Sequence, residues 1–170
     1  VVAAHHPMET GGPHGVGVDL GSLLGIRPLL KRAGILVQDL DSRPYSALER
    51  RLNRLFTDVR LPDVYAGGHD HSLQVFDAGA DAGGVRGLVV GSASKLSGVT
   101  GAPGMLFGRS APGYGKVLIL EDGRVTIELE AAPAEFLKCT PEAAPDCVEE
   151  GVAAYETVWR ETLTPATRSR

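Results

Sequence analysis

Residues 64–76 read VYAGGHDHSLQVF, and this stretch does most to decide the fold. Apolar residues at 64–66 and 73–76 flank a short glycine-containing loop, a pattern that predicts strand, tight loop, strand. The loop presents His69 and His71, one residue apart. Neutral imidazole is the commonest ligand for zinc and iron in proteins, so this pair is a candidate metal site. The alternative interpretation is a polar hairpin turn without a ligand, because His-x-His also occurs by chance.

A second group of histidines precedes this stretch. The apolar run at residues 1–4 predicts a short strand, and His5-His6-Pro7 follows it directly. The next loop carries four glycines and His14. All five histidines of the chain therefore lie in its first 71 residues, in predicted loops after or between strands. Because α/β folds keep their chemistry in such loops, the two clusters together favour a metal site over an accidental turn.

The later part of the chain is predicted to be mainly strands and loops. Residues 85–90 predict a strand, and the glycine- and proline-rich residues 97–115 predict a long loop. Two alternating segments, 116–120 and 124–130, surround Asp122-Gly123. An Asp-Gly pair between alternating segments is a strong signal for a β-hairpin.

Three helices are also predicted. Ser46 and Glu49 form a capping-box pattern before apolar residues that share one helical face, which predicts a helix at 47–57. Apolar residues between 148 and 159 recur at helical spacing and predict a helix at about 147–163. A third, short helix is predicted around 26–33, ending before Gly34.

Composition limits the function classes. The 170 residues allow one domain of ordinary size, ~100–200 residues. With 43% hydrophobic and 22% charged residues, the chain has the composition of a folded domain. A net charge of −4 without a basic block argues against nucleic-acid binding. No window has the ~20 consecutive apolar residues of a membrane span.

The chain ends and the cysteines add two expectations. The chain starts inside an apolar run without an initiator Met, so we expect its natural N-terminus to be missing. Cys139 and Cys147 either close a small disulfide loop or remain free thiols.

Taken in order, these motifs resemble those of the calcineurin-like metallophosphoesterases, and within them the purple or tartrate-resistant acid phosphatases. That family has a strand followed by His-x-Pro, here His5-His6-Pro7, and a histidine nine residues after the first, here His14. It has Gly-His-x-His after a second strand, here residues 68–71 with the continuation Ser72-Leu73-Gln74. The resemblance extends to Gly91-Ser92-Ala93 and Gly113-Tyr114-Gly115, and it covers about residues 1–130.

The resemblance implies a role for four histidines. It makes His5 and His69 ligands of one metal ion and His71 a ligand of a second. His14 would contact the substrate phosphate and protonate the leaving group. His6 occupies a position that varies in the family.

Asp70 has no role in the family, and we interpret it as a solvated turn residue. The implied cofactors are two metal ions of the iron, zinc or manganese class, holding a hydroxide that attacks the phosphorus. The implied substrate is a phosphate monoester, with phosphodiesters as a further class. Family habit and the cysteine pair favour a periplasmic or secreted protein.

The chain departs from the family in its ligands. The family's Asp and Asn ligand motifs normally precede the His-x-Pro strand, and they are absent here. Three imidazoles cannot fill two metal coordination shells. We therefore expect residues 1–130 to be the C-terminal half of the catalytic domain, inactive without its missing N-terminal half. Residues 131–170 would be an extension carrying the helix at about 147–163.

The implied fold class is α/β or α+β, half of a four-layer metallophosphoesterase β-sandwich with flanking helices. This half should supply mainly one sheet, with an open face where strands are missing. Two alternatives to a phosphatase remain. One is a non-catalytic metal-binding or interaction module that keeps the histidines, and the other is a structural α/β domain with incidental surface histidines.

Overall fold

The structure is a computed structural model that describes residues 1–15, 42–59, 61–77, 85–93, 95–133 and 155–164. These residues form one helix and eight strands in two sheets, an α+β architecture dominated by strands. The elements are β1 (Val2–Ala3), α1 (Arg43–Asp58), β2 (Val64–Gly67), β3 (Leu73–Asp77), β4 (Arg86–Val90), β5 (Met105–Arg109), β6 (Gly113–Ile119), β7 (Val125–Ala131) and β8 (Glu156–Leu163).

The first sheet has the order β1-β2-β4-β3-β5. β1, β2 and β4 run parallel, whereas β3 is antiparallel to both of its neighbours, β4 and β5. Strand, tight loop, strand is therefore confirmed for residues 64–76, but β4 lies between the two strands. The stretch is not a hairpin, because its loop crosses from one strand to the second neighbour along the sheet.

The second sheet is a meander, β6-β7-β8. The predicted hairpin is confirmed: β6 and β7 pair from Gly113↔Ala131 to Ile119↔Val125, and Gly123 takes the left-handed φ of 81° that such a turn needs. On β7, Ile127 and Leu129 enter the core, while Glu128 and Glu130 alternate with them. Lys116 of β6 pairs with both of these carboxylates, 2.8 and 2.9 Å away, and holds their pKa values below the ordinary range.

A single apolar core joins the two sheets. It combines Val64 and Val75 of the first sheet with Ile127 and Leu129 of the second, and all four are fully buried. The expectation of mainly one sheet with an open face is therefore wrong. The apolar residues of β6, β7 and β8 cover the face of the first sheet.

Helix α1 lies on the opposite face of the first sheet. Successive residues of a strand point to opposite faces, and Tyr65, next to Val64, packs with Phe56 of α1 in a second apolar cluster. The predicted helix at 47–57 is confirmed but starts one turn earlier, after Ser42 at the N-cap. Ser46 and Glu49 therefore lie inside the helix and do not cap it.

Two predictions of secondary structure are also wrong. Residues 156–163 form strand β8, antiparallel to β7, and not the C-terminal part of a helix at 147–163. Trp159 and Leu163 on β8 pack on the shared core, so residues of the 131–170 segment complete the second sheet. The predicted loop at 97–115 contains strand β5 and the start of β6.

Other predictions fall outside the described residues. These are the short helix at 26–33, the part of the C-terminal helix at 147–154, and the cysteine pair at 139 and 147. Among the residues that the structure does describe, no helix has the length and apolar character needed to cross a membrane.

The shared core provides a test of the two-sheet architecture. Ile127 is fully buried between the sheets, whereas Ile119, on the neighbouring strand, is 70% exposed. Ile127→Ala should lower the free energy of unfolding by about 2–5 kcal/mol. Ile119→Ala, the matched control, should change it by no more than ~0.5 kcal/mol. Urea denaturation measures both, and equal effects would contradict the assignment of this core.

Candidate metal centre

The histidine clusters meet because β1 and β2 run parallel. His5 and His69 each follow the carboxyl end of their strand by two residues. The carboxyl ends of parallel strands lie at the same edge of a sheet. The pairing continues past the strands, since the Gly68 N–H donates to the carbonyl oxygen of His5 at 2.8 Å. The two loops are thereby held side by side.

Three imidazoles form the centre of the site. One ring nitrogen from each of His5, His6 and His69 lies within 4.8 Å of the other two. His5 Nε2 and His69 Nδ1 are 3.1 Å apart and share a hydrogen bond. Two nitrogens bound to one tetrahedral zinc at ~2.0–2.1 Å lie about 3.3 Å apart. The His5 and His69 nitrogens are thus already near the spacing that a single metal ion requires.

His14 lies against this group. Its ring is 4.4 Å from that of His69, centroid to centroid. The glycine loop that carries His14 packs against the tight loop between β2 and β3, where Thr10 donates a hydrogen bond to Asp70. His14 is therefore placed to reach a molecule bound at the imidazoles.

The structure groups the predicted site residues only in part. It brings together His5, His69 and His14, and it adds His6, for which no role was predicted. His71 is not a member of the three-nitrogen group. Its Nδ1 is buried and has no hydrogen-bond partner among the described residues.

His69 adopts an unusual backbone conformation. Its φ of 59° lies in the left-handed region, and no other non-glycine residue in the described part of the chain has a positive φ. Such a conformation is sparsely populated by residues with a Cβ and collects at functional sites. Its Nε2 is buried without a hydrogen-bond partner among the described residues. A strained residue with an unsatisfied ring nitrogen is typical of a ligand-binding position.

The surroundings of His6 and His69 favour their neutral rings. Desolvation lowers the pKa of His6, and the neighbouring His5 and His14 lower it further. Desolvation likewise lowers the pKa of His69, and His14, His6 and His5 act in the same direction, whereas the neighbouring Asp70 opposes them. Metal binding requires the neutral ring, so the environment favours the ligating form.

Asp70 is not a solvated turn residue, as the sequence suggested, but is completely buried. Its Oδ2 accepts a hydrogen bond from the Thr10 hydroxyl at 2.6 Å, and its Oδ1 is buried without a partner among the described residues. The reason for the burial is the glycine loop. Gly12 lies so close that a Cβ there would sit 2.6–2.7 Å from the two carboxylate oxygens.

Gln74 completes this buried polar network. Its Oε1 accepts from the Gly11 N–H at 2.8 Å, and its Nε2 donates to Ser72 Oγ at 2.7 Å and to Thr10 Oγ1 at 3.2 Å. Asp70, Ser72 and Gln74 are all fully buried. The loop that carries His14 is therefore fastened to the β2–β3 loop and to β3 by side chains of both segments.

Two tyrosine hydroxyls hold the backbone of the His-His-Pro segment in place by hydrogen bonds to its carbonyl groups. The Tyr65 hydroxyl donates to the His6 carbonyl at 3.1 Å, and the Tyr45 hydroxyl donates to the Pro7 carbonyl. The Tyr45 ring also packs against His6, with centroids 5.1 Å apart. Burial raises the pKa of Tyr65, which keeps its hydroxyl a donor. These contacts cross more than 35 residues of sequence, so no local pattern could have revealed them.

The donor set fits one metal ion better than two. Three imidazoles are a complete protein ligand set for a transition metal with an open coordination position. A binuclear centre needs a bridging group, and among the described residues no carboxylate belongs to the three-nitrogen group. The described residues could therefore provide ligands for one metal ion, but not for two.

Comparison with known proteins adds little. No protein-family model matches the chain, and no curated protein matches it. Among solved structures the chain is similar to GAP50, described as the anchor in the inner membrane complex of Plasmodium, with 18% identity and a TM-score of 0.46. The match covers 69% of this chain and 30% of that chain. A similarity of this size supports neither a family assignment nor a function.

The close approach of Gly12 to Asp70 gives a test of the buried network. Gly12→Ala would press a methyl group against the carboxylate and should lower the free energy of unfolding by about 1–3 kcal/mol. Gly98 is the control, because a Cβ there meets nothing within 4 Å. Gly98→Ala should leave stability unchanged or raise it by up to ~1 kcal/mol. Thermal unfolding followed by circular dichroism distinguishes the two, and a neutral Gly12→Ala would contradict the geometry.

Proposed function

We propose that this chain takes part in metal-dependent hydrolysis of phosphate esters, supplying the imidazole ligands of one metal ion and a proton donor. One observation supports the proposal above all. The ring nitrogens of His5, His6 and His69 converge within 4.8 Å at the carboxyl ends of two parallel strands, with His14 against them. The order of these histidines in the sequence resembles that of the binuclear metallophosphoesterases.

Each histidine has a task in this proposal. The converging imidazoles would hold the metal ion. When bound, the ion would act as a Lewis acid towards a phosphate oxygen. His14, against His69 but outside the three-nitrogen group, gives a proton to the leaving oxygen. Tyr45 and Tyr65 hold the His6-Pro7 backbone in place while the substrate binds. In the family resemblance His71 serves a second metal ion, whose remaining ligands would come from outside the described residues.

A non-catalytic metal-binding module is the second candidate. The absence of a carboxylate from the three-nitrogen group, among the residues described, favours it. Without a bridging group the chain would hold one ion and offer no second Lewis acid. The two candidates share the metal site and differ in turnover.

Zinc binding tests what both candidates share. We expect the 170-residue chain to bind at most one zinc ion, and weakly, because the metal must displace the His5–His69 hydrogen bond and draw together ring nitrogens that lie up to 4.8 Å apart. Competition with a chromophoric chelator measures the affinity, and His5→Ala should abolish binding. His71→Ala is the matched control and should leave this affinity unchanged. Two tightly bound ions, with steady hydrolysis of para-nitrophenyl phosphate by the chain, would contradict the proposal that ligands are missing.

The leaving group tests the role of His14. In the full-length protein that contains this chain, His14→Ala should slow hydrolysis of an alkyl phosphate by ~10²–10⁴-fold, because the alkoxide needs a proton. Hydrolysis of para-nitrophenyl phosphate, whose leaving group needs no proton, should slow much less. Metal content should stay unchanged, whereas His71→Ala should lower both metal content and kcat. Equal losses on the two substrates would contradict a proton-donor role.

A further inference from the structure

Asp70 is a buried charge that the proposed function does not use. The other buried acidic side chains described, Glu128 and Glu130, are each paired with a cation at under 3 Å. Asp70 has no ion pair with a described lysine or arginine, and its Oδ1 has no hydrogen-bond partner among the described residues. Burying an unpaired carboxylate is strongly unfavourable, so a group in this position requires a reason.

The position of Asp70 points to that reason. It lies between His69 and His71 in sequence, and its backbone makes the turn: the Asp70 N–H donates to the Gly68 carbonyl at 2.7 Å, and its own carbonyl accepts from the Ser72 N–H at 3.0 Å. Its side chain holds Thr10, four residues before His14. The same residue thus constrains the loop of His69 and the loop of His14.

We propose that Asp70 is the positioning residue of the metal site: it holds His69 and His14 together and places a compensating negative charge beside the cation that the imidazoles bind. The counter-charge part of this inference rests on the proposed function, because it requires a bound metal ion. The imidazole group carries no carboxylate of its own, so a bound divalent ion would otherwise lie in a partly buried site without a counter-charge. The Asp70 carboxylate acts from behind the ligands and does not enter the three-nitrogen group.

The position of Thr10 explains how Asp70, in the loop of His69, also holds the loop of His14. The Thr10 hydroxyl donates to Asp70 Oδ2 while it accepts from the Gly12 N–H at 2.9 Å. Asp70 therefore reaches the glycine loop through a single hydroxyl. Groups that hydrogen-bond metal ligands directly commonly change metal affinity 10–100-fold when they are removed, and we expect an effect of the same order from Asp70, which acts through Thr10 and the loop backbone.

Zinc affinity tests the counter-charge. Asp70→Asn keeps the shape and an acceptor for Thr10 but removes the charge, so zinc affinity should fall about 10–100-fold. Glu128→Gln, which neutralises a buried carboxylate in the other sheet, should leave zinc affinity unchanged. Wild-type affinity in folded Asp70→Asn would overturn the proposal. If that variant does not fold, Thr10→Val keeps the charge and removes the anchor, and unchanged zinc affinity in it would overturn the positioning role.

A measurement without metal separates this proposal from the proposed function. In protein treated with a chelator, the rings of His14 and His69 are close enough for a nuclear Overhauser effect between their protons. The effect should be lost in Thr10→Val, which removes the anchor, and kept in Glu128→Gln. If it is lost but wild-type protein binds no zinc, the positioning role stands and the metal function fails. If it persists in Thr10→Val, the positioning role fails whatever the zinc result.

Discussion

The parallel pairing of β1 with β2 is the constraint on which the rest of the site depends. It is short, with Val2↔Tyr65 and Ala3↔Ala66 in register, yet it sets where both loops begin. An antiparallel arrangement would have placed the two histidine clusters at opposite edges of the sheet. Apolar packing supports it from one side, since Val2 contacts the cluster of Phe56 and Tyr65 beneath α1. The position of the candidate site therefore depends on β1, a strand of only two residues.

Next to that edge of the sheet, the histidine loops are held by polar side chains that are buried. Asp70, Ser72 and Gln74 are fully buried, and they form one hydrogen-bonded network with the buried Thr10. Buried polar networks are stabilising only when nearly every member is satisfied. Here one oxygen of Asp70 and one nitrogen of His69 have no partner among the described residues. These two atoms belong to adjacent residues at the candidate site, where each could bind a ligand or a water molecule.

The sequence predicted the elements that depend on local signals and missed those that depend on contacts between distant residues. The β6–β7 hairpin and helix α1 follow from an Asp-Gly turn and from helical periodicity, both of which act within a few residues. Strand β8 was mistaken for a helix because the apolar spacing around Trp159 suits a helix, although its β-branched and aromatic residues suit the strand that pairs with β7. The burial of Asp70 depends on Thr10, 60 residues away, and nothing near Asp70 in the sequence signals it.

The distances along the chain also bear on the order in which the molecule assembles. The three-stranded sheet starts from a hairpin whose partners are neighbours in sequence, whereas His5 and His69 meet across 64 residues. Closing so long a loop is entropically unfavourable until much of the core exists, so such contacts form late and open first. The histidines should therefore separate in partial unfolding that leaves the hairpin intact. A ligand that bridges them would slow this opening and would make hydrogen exchange in the glycine loop a sensitive reporter of occupancy.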